Sequence, residues 1–132
     1  MKDLIEIIKI LIDDNAYISS FIDKNIELIK SGEIEPLEES NIIFYKFMNT
    51  YTERNSIFKN KMEELNFSSV WDIPSSDVCN EDELKLLLKN FDSSVKDAHK
   101  KIALYAQLIS TELNMINKIK YFKKGGKIDF KL

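Results

Sequence analysis

The chain has 132 residues, 44 % hydrophobic and 31 % charged, with a formal net charge of -3, so it can bury a sizeable core within one domain. Both signs of charge are mixed and nearly balanced, which leaves no electrostatic case for nucleic acid as a partner. The single cysteine, Cys79, excludes an intrachain disulfide and suits the cytoplasm, and with the single histidine, His99, it makes no zinc site, so neither metal nor cofactor is expected. The first apolar run, IEIIKILI, is broken by Glu6 and Lys9 and is too short to span a bilayer. It lacks the basic start and small-residue cleavage site of a secretory signal. The expectation is a soluble cytoplasmic protein with no stable membrane insertion.

From about Asp3 to Lys30, Leu4, Ile8, Leu11, Asn15, Ile18, Ile22, Asn25 and Ile29 recur at alternating spacings of four and three, and Ile5, Ile12 and Ile26 widen the stripe. This is the heptad pattern of a helix. Asparagines in such a seam fix register at some cost in stability; a polar binding role is the other reading. The stretch SGE then breaks the helix, and Pro36 suits the first turn of a second one, where its missing N–H does no harm. Glu35, Glu38 and Glu39 complement the helix dipole there. Leu37, Asn41, Phe44, Met48, Tyr51, Asn55, Phe58, Met62 and Leu65 carry the seam of this second helix, and the short connection makes it an antiparallel neighbour of the first. Within it Arg54 is the only arginine of a lysine-rich chain. That points either to a planar, bidentate carboxylate contact or to an ordinary exposed arginine that contributes little.

NFSSVWDIPSSDVCN reads as a loop, with Val70, Trp71 and Ile73 expected to pin it to the bundle. Asn80 and Glu83 form a capping-box-like start. A third helix follows to about Phe122, with Leu84, Leu88, Phe91, Val95, Ala98, Ile102, Tyr105 and Ile109 in its seam and a phase slip at Leu113. The fold expected is all-α: an antiparallel, coiled-coil-like bundle of three long helices over 1–122, with breaks near 31–36 and 66–80 and a C-terminal tail over 123–132. At about 65 Å the third helix outlasts the other two, at about 45 Å each. Its apolar arc broadens past Ala103, where neighbours should run out. Leu104, Leu108, Ile109, Met115, Ile116, Ile119, Tyr121 and Phe122 are therefore the expected partner-binding residues. KKGG should end the helix, and the tail that follows should either fold over this surface or serve a second contact.

No catalytic constellation stands out. His99 lies in DAHKKIALYA, which is similar to the phosphoacceptor helix of histidine phosphotransfer domains, but Ile102 and Ala103 stand where those carry Lys and Gly. The carboxylate pairs are sequence neighbours on different helix faces, and no phosphate loop, serine elbow or Cys–His pair occurs. The expectation is that the chain is not an enzyme.

LIKSGEIEPLEESNIIFYKFMNTYTERNSIFKNKMEELNFSSVWDI resembles the central part of the FlgN family of flagellar type III export chaperones. The shared features are a long first helix, a short hydrophilic break, a Glu-rich helix start, an arginine matched by Arg54, and an ending like LNFS. LLLKNFDSSVKDAHKKIALYAQLISTEL resembles the family's last helix, and YFKKGGKIDF is loosely similar to the glycine-bearing segment after it. The resemblance implies a cytoplasmic chaperone without ATP chemistry. It would bind the helical terminal segments of hook-associated, hook–filament junction proteins and deliver them to the export gate, with the gate and the export ATPase complex as further partners. The alternative is a coiled-coil structural or adaptor protein that homodimerises through the same face; monomer and homodimer both remain open.

Overall fold

Long runs of Leu, Ile, Lys and Glu without internal glycine favour helix throughout, and the punctuation falls where the backbone needs it. The computed structural model describes residues 1–123, with side chains over 1–111; the tail 124–132 lies outside the described residues. Three helices form an all-α bundle: α1 over Lys2–Lys30, α2 over Ile34–Glu64 and α3 over Glu81–Lys123. Among the described residues there is no strand, only an isolated antiparallel bridge between Ser76 and Cys79. Pro36 falls in the first turn of α2.

Both α1 and α2 end in the same closure. Gly32 adopts φ 70°, the Glu33 N–H donates to the Leu28 carbonyl at 3.1 Å, and the Gly32 N–H donates to Ile29 at 3.1 Å. Asn66 does the equivalent at φ 60°, with the Phe67 N–H donating to Met62 at 2.9 Å and the Asn66 N–H to Glu63 at 3.1 Å. This is the Schellman arrangement, which satisfies the last carbonyls of each helix and needs a left-handed residue. A Cβ at Gly32 would meet nothing within 4 Å, so only the backbone conformation constrains that position.

The loop after α2 corrects two expectations. Leu65 is exposed, because the helix ends there and the chain turns away. Trp71 does not pin the loop: it is 58 % exposed, whereas Ile73 is buried and Val70 packs against the core. Val70–Asp72 form one 3₁₀ turn, capped reciprocally by Ser69 and Asp72. Residues three apart are eclipsed in such a turn, so Val70 and Ile73 share the inner face and Trp71 between them must point out. At the start of α3 the Asn80 Oδ1 accepts from the Glu83 N–H at 2.9 Å, as the cap pattern requires.

α1 is the centre of the bundle. Leu4, Ile8, Leu11, Ile18 and Ile22 are essentially inaccessible, and α1 packs along both other helices. It runs antiparallel to α2, pairing Asp14 with Arg54 and Asn25 with Asn41. It runs parallel to α3, where Asn15 meets Ser94, Ser19 meets Asp97, Asp23 meets Lys101 and Asn25 meets Tyr105. α2 and α3 meet through rings, with Phe44 on Tyr105 at 5.8 Å and Phe58 on Phe91 at 5.4 Å.

The two seam asparagines are the polar centres of the core. Asn15 is 1 % exposed; its Nδ2 donates to Ser94 Oγ at 3.1 Å and its Oδ1 accepts from the Tyr51 hydroxyl at 2.6 Å. Asn25 is 0 % exposed; its Nδ2 donates to the Tyr105 hydroxyl at 2.7 Å and to Asn41 Oδ1 at 3.3 Å, while its Oδ1 accepts from Ser40. Each layer thus takes an Asn from α1 and a Tyr and a Ser from the other two helices, which exchange those roles between layers. This favours the register-fixing reading of the asparagines.

An unpartnered buried polar group costs about 1–3 kcal/mol. Asn25→Ala strands the Ser40 hydroxyl, while the Tyr105 hydroxyl keeps its bond to Asn41, so urea denaturation should show a loss of about 1–3 kcal/mol; no measurable loss would mean that water replaces the amide freely. Gly32→Ala should lower stability by about 1–2 kcal/mol through backbone strain alone, and an unchanged melting curve would show that the α1–α2 turn relaxes out of the left-handed region.

Candidate functional site

Because α1 occupies the space between its partners, α2 and α3 diverge on the side away from it. Near the Asn25 layer this leaves an open groove of about 370 Å³, lined by Asn41, Phe44 and Tyr45 of α2 and by Ile102, Tyr105, Ala106, Ile109 and Ser110 of α3. Its floor is polar only where the Tyr105 hydroxyl donates to Asn41 Oδ1. Burial pushes the Tyr105 phenol above its usual pKa of 10.0, against the opposing effect of its hydrogen bonds to Asn25 and Asn41. The Tyr51 phenol in the other layer is raised for the same first reason.

The two walls differ. α2 offers large rings, the buried Phe44 and the exposed Tyr45. α3 also offers small side chains, Ala106 and Ser110, both exposed, so a further helix could approach its backbone closely there. Glu33, Glu35, Glu38 and Glu39 begin α2 beside the groove, with no lysine before Lys46, and none of the four pairs with a cation among the described residues.

The α1–α3 pairs are offset by 78–80 residues. Lys30, the end of α1, is therefore level with Ser110 or its neighbours. α3 continues to Lys123, about 20 Å further at 1.5 Å per residue. The expectation that the third helix outlasts the first holds in the backbone.

The expected partner-binding residues divide between two faces. Ile109 is partly buried and lines the groove. Leu104, 48 % exposed, and Leu108, partly buried, lie four apart on a face about a third of a turn round from Ile109. The side chains of Met115, Ile116, Ile119, Tyr121 and Phe122 lie outside the described residues. Sequence reasoning missed Tyr45 and Ala106 because neither belongs to a heptad seam; the signal present was a large ring off the seam of α2 opposite a small residue off the seam of α3. Phe44, Ile102 and Tyr105, read as seam, serve both the core and the groove.

Arg54 touches a carboxylate through one nitrogen, Nη1 to Asp14 Oδ1 at 2.6 Å, while the buried Asp14 Oδ2 has no partner. The contact is thus a single bond and not the bidentate fork. His99 is exposed on α3. Among the described residues no three His, Cys, Asp or Glu side chains gather to hold a metal ion, and no helix is long and apolar enough to cross a membrane.

The buried phenols give the bundle a pH dependence. Unfolded tyrosine loses its proton near pH 10.0, whereas the folded protein holds the Tyr105 and Tyr51 protons longer. Their contribution to stability is therefore whole below pH 10 and falls as the pH climbs above 10 through the folded values. The urea midpoint of Tyr105→Phe should fall less steeply above pH 10 than that of wild type. Equal slopes would show that the Tyr105 phenol is not shielded from water.

Compared with known proteins, the chain matches no family model, no curated protein and no solved structure.

Proposed function

We propose that the chain is a non-enzymatic cytoplasmic holding protein of the FlgN type, which takes a helical terminal segment of a flagellar hook–filament junction protein and presents it for type III export. The observation that carries the reading is the groove between α2 and α3, opening toward the stretch where α3 outlasts α1. Its mostly apolar lining runs along about two turns of α3, from Ile102 to Ser110, enough to receive anchor side chains of a docking helix, and helix-in-groove docking recruits such segments through anchors at i, i+3, i+4 and i+7. A segment that is disordered until it binds adds its ordering cost to the interaction, so binding stays releasable, as delivery requires. The resemblance of the central stretch and last helix to that family supplies the client class.

A surface joining Tyr45 in the groove to the exposed Ile42 and Leu104 outside it would serve a homodimeric coiled-coil adaptor equally. The test separates the two. Tyr45→Asp and Ala106→Trp alter exposed positions that line the groove, so both variants should melt like wild type. In a calorimetric titration with a synthetic terminal helix of a junction protein, each should weaken binding at least about tenfold, roughly 1.4 kcal/mol. Undiminished binding by both variants sinks the groove as client site. A stable wild-type dimer that Tyr45→Asp dissociates establishes the adaptor in its place.

A further inference from the structure

α2 carries a second pattern beside its seam. Ile43, Lys46, Thr50, Glu53 and Ile57 recur at spacings of three and four, so they form one stripe along the helix. The stripe lies on the side of α2 roughly opposite Tyr45 and the groove. It reads alike from both ends, with its charge inverted. Thr50 is the midpoint: Ile43 and Ile57 stand seven residues either side of it, and Lys46 and Glu53 four before and three after. Eleven residues either side stand Glu39 and Lys61. Among the described residues Glu39, Lys46 and Glu53 pair with no opposite charge, and Lys61 reaches Asp3 only at 3.8 Å.

α1 continues this surface. Phe47 packs on Tyr17 with ring centroids 4.5 Å apart, Tyr17 on Phe21 at 5.7 Å, and Phe21 on the core ring Phe44 at 5.3 Å. The rings thus lead from the core out to water, where Ile10, Tyr17, Ile43 and Ile57 are each 42–55 % exposed. Arg54 stands on the α1 side of the stripe, and only its Nη1 is engaged, by Asp14. From Glu39 to Lys61 the face runs about 33 Å along α2 and about 20 Å across the two helices. That is roughly 650 Å² for each chain, near the lower bound of specific interfaces.

We propose that this α1–α2 face is the interface of a two-fold homodimer, its occupant a second copy of the chain, with the axis passing Thr50. Such an axis sets each edge of α2 against the same edge of its copy and reverses direction along it. Ile43 then meets Ile57 of the second copy, Lys46 meets Glu53, and Glu39 meets Lys61. The Arg54 guanidinium covers the Phe47 ring of the copy as a cation–π pair. Every contact occurs twice, and the small Thr50 lets the helices approach at the axis. Because Arg54 lies level with Asp14 and Phe47 with Tyr17, the two Tyr17 rings flank the axis, and α1 and α2 of both chains make a four-helix unit. A parallel pairing would set Lys46 on Lys46 and Glu53 on Glu53, so charge selects the antiparallel one. The dimer leaves the α2–α3 groove open and does not rest on the function proposed above.

Sedimentation equilibrium of the full chain at low ionic strength tests the interface. Wild type should be a dimer at about 100 µM and dissociate on dilution, as a small interface requires. Lys46→Glu and Glu53→Lys each set like charges together twice, so each variant should weaken association about tenfold. An equal mixture of the two variants should regain the wild-type dimer, because every contact between positions 46 and 53 then joins opposite charges. The two positions are seven residues apart on one helix, about 10 Å, so no contact within a chain explains that rescue. Ile43→Asp with Ile57→Asp should leave a folded monomer, both positions being exposed. Wild type that stays monomeric up to about 1 mM overturns the proposal. So does a mixture no more dimeric than its components. A dimer that Tyr45→Asp dissociates and Ile57→Asp does not overturns it too, since the groove is then the interface.

Discussion

Asn15 and Asn25 place two amides, each all but sealed from water, in a core made chiefly of Ile, Leu and aromatic rings. An apolar seam tolerates sliding by a heptad, because one Leu replaces another at small cost. An amide does not, since each donor and acceptor left unpaired in the core costs about 1–3 kcal/mol. Each layer draws on both α2 and α3, so a shift of either helix breaks both layers. The layers stand ten residues apart on α1, about 15 Å, and fix tilt as well as register. The exchange of Tyr and Ser between α2 and α3 adds direction, because reversing either helix would set Tyr against Tyr in one layer and Ser against Ser in the other.

The groove follows from this arrangement. α1 meets both partners along its length, and its packing there is close. α2 and α3 then touch chiefly through rings, Phe44 on Tyr105 and Phe58 on Phe91, and the space outside those rings is left to whatever fits it. Tyr105 links the two regions: its hydroxyl closes the Asn25 layer with Asn41, and its ring forms the groove floor. A surface founded on a register-locked layer is preformed, so an incoming helix or strand need not order the protein first.

The three helices and their breaks were legible because period and punctuation agree. Every α1 seam residue up to Asn25 is buried, and the glycine of SGEIEP stands at the left-handed turn. The loop was less legible. Val70, Trp71 and Ile73 look alike as hydrophobic anchors, and only the 3₁₀ geometry turns Trp71 outward. The candidate site was legible in part, since broadening of the apolar arc on α3 found Ile109 but also Leu104 and Leu108, which lie on another face. Tyr45 and Ala106 lie on opposite walls, sixty residues apart in the chain, and no local pattern joins them.

The sequence by itself determined the helices, their order, the short antiparallel return of α2, and the excess length of α3. These depend on local periodicity and on helix rise, which one strand of text records in full. Only the tertiary structure decided that α1 is central and parallel to α3, that Asn25 meets Tyr105 and Ser40, that Arg54 meets Asp14 through one nitrogen, and that a groove opens between α2 and α3. The reason is that heptads state which face of a helix is buried, but not against which neighbour. Partner choice arises when three such faces compete for one interior, and there the few polar groups that must be paired outweigh the many apolar ones that are interchangeable.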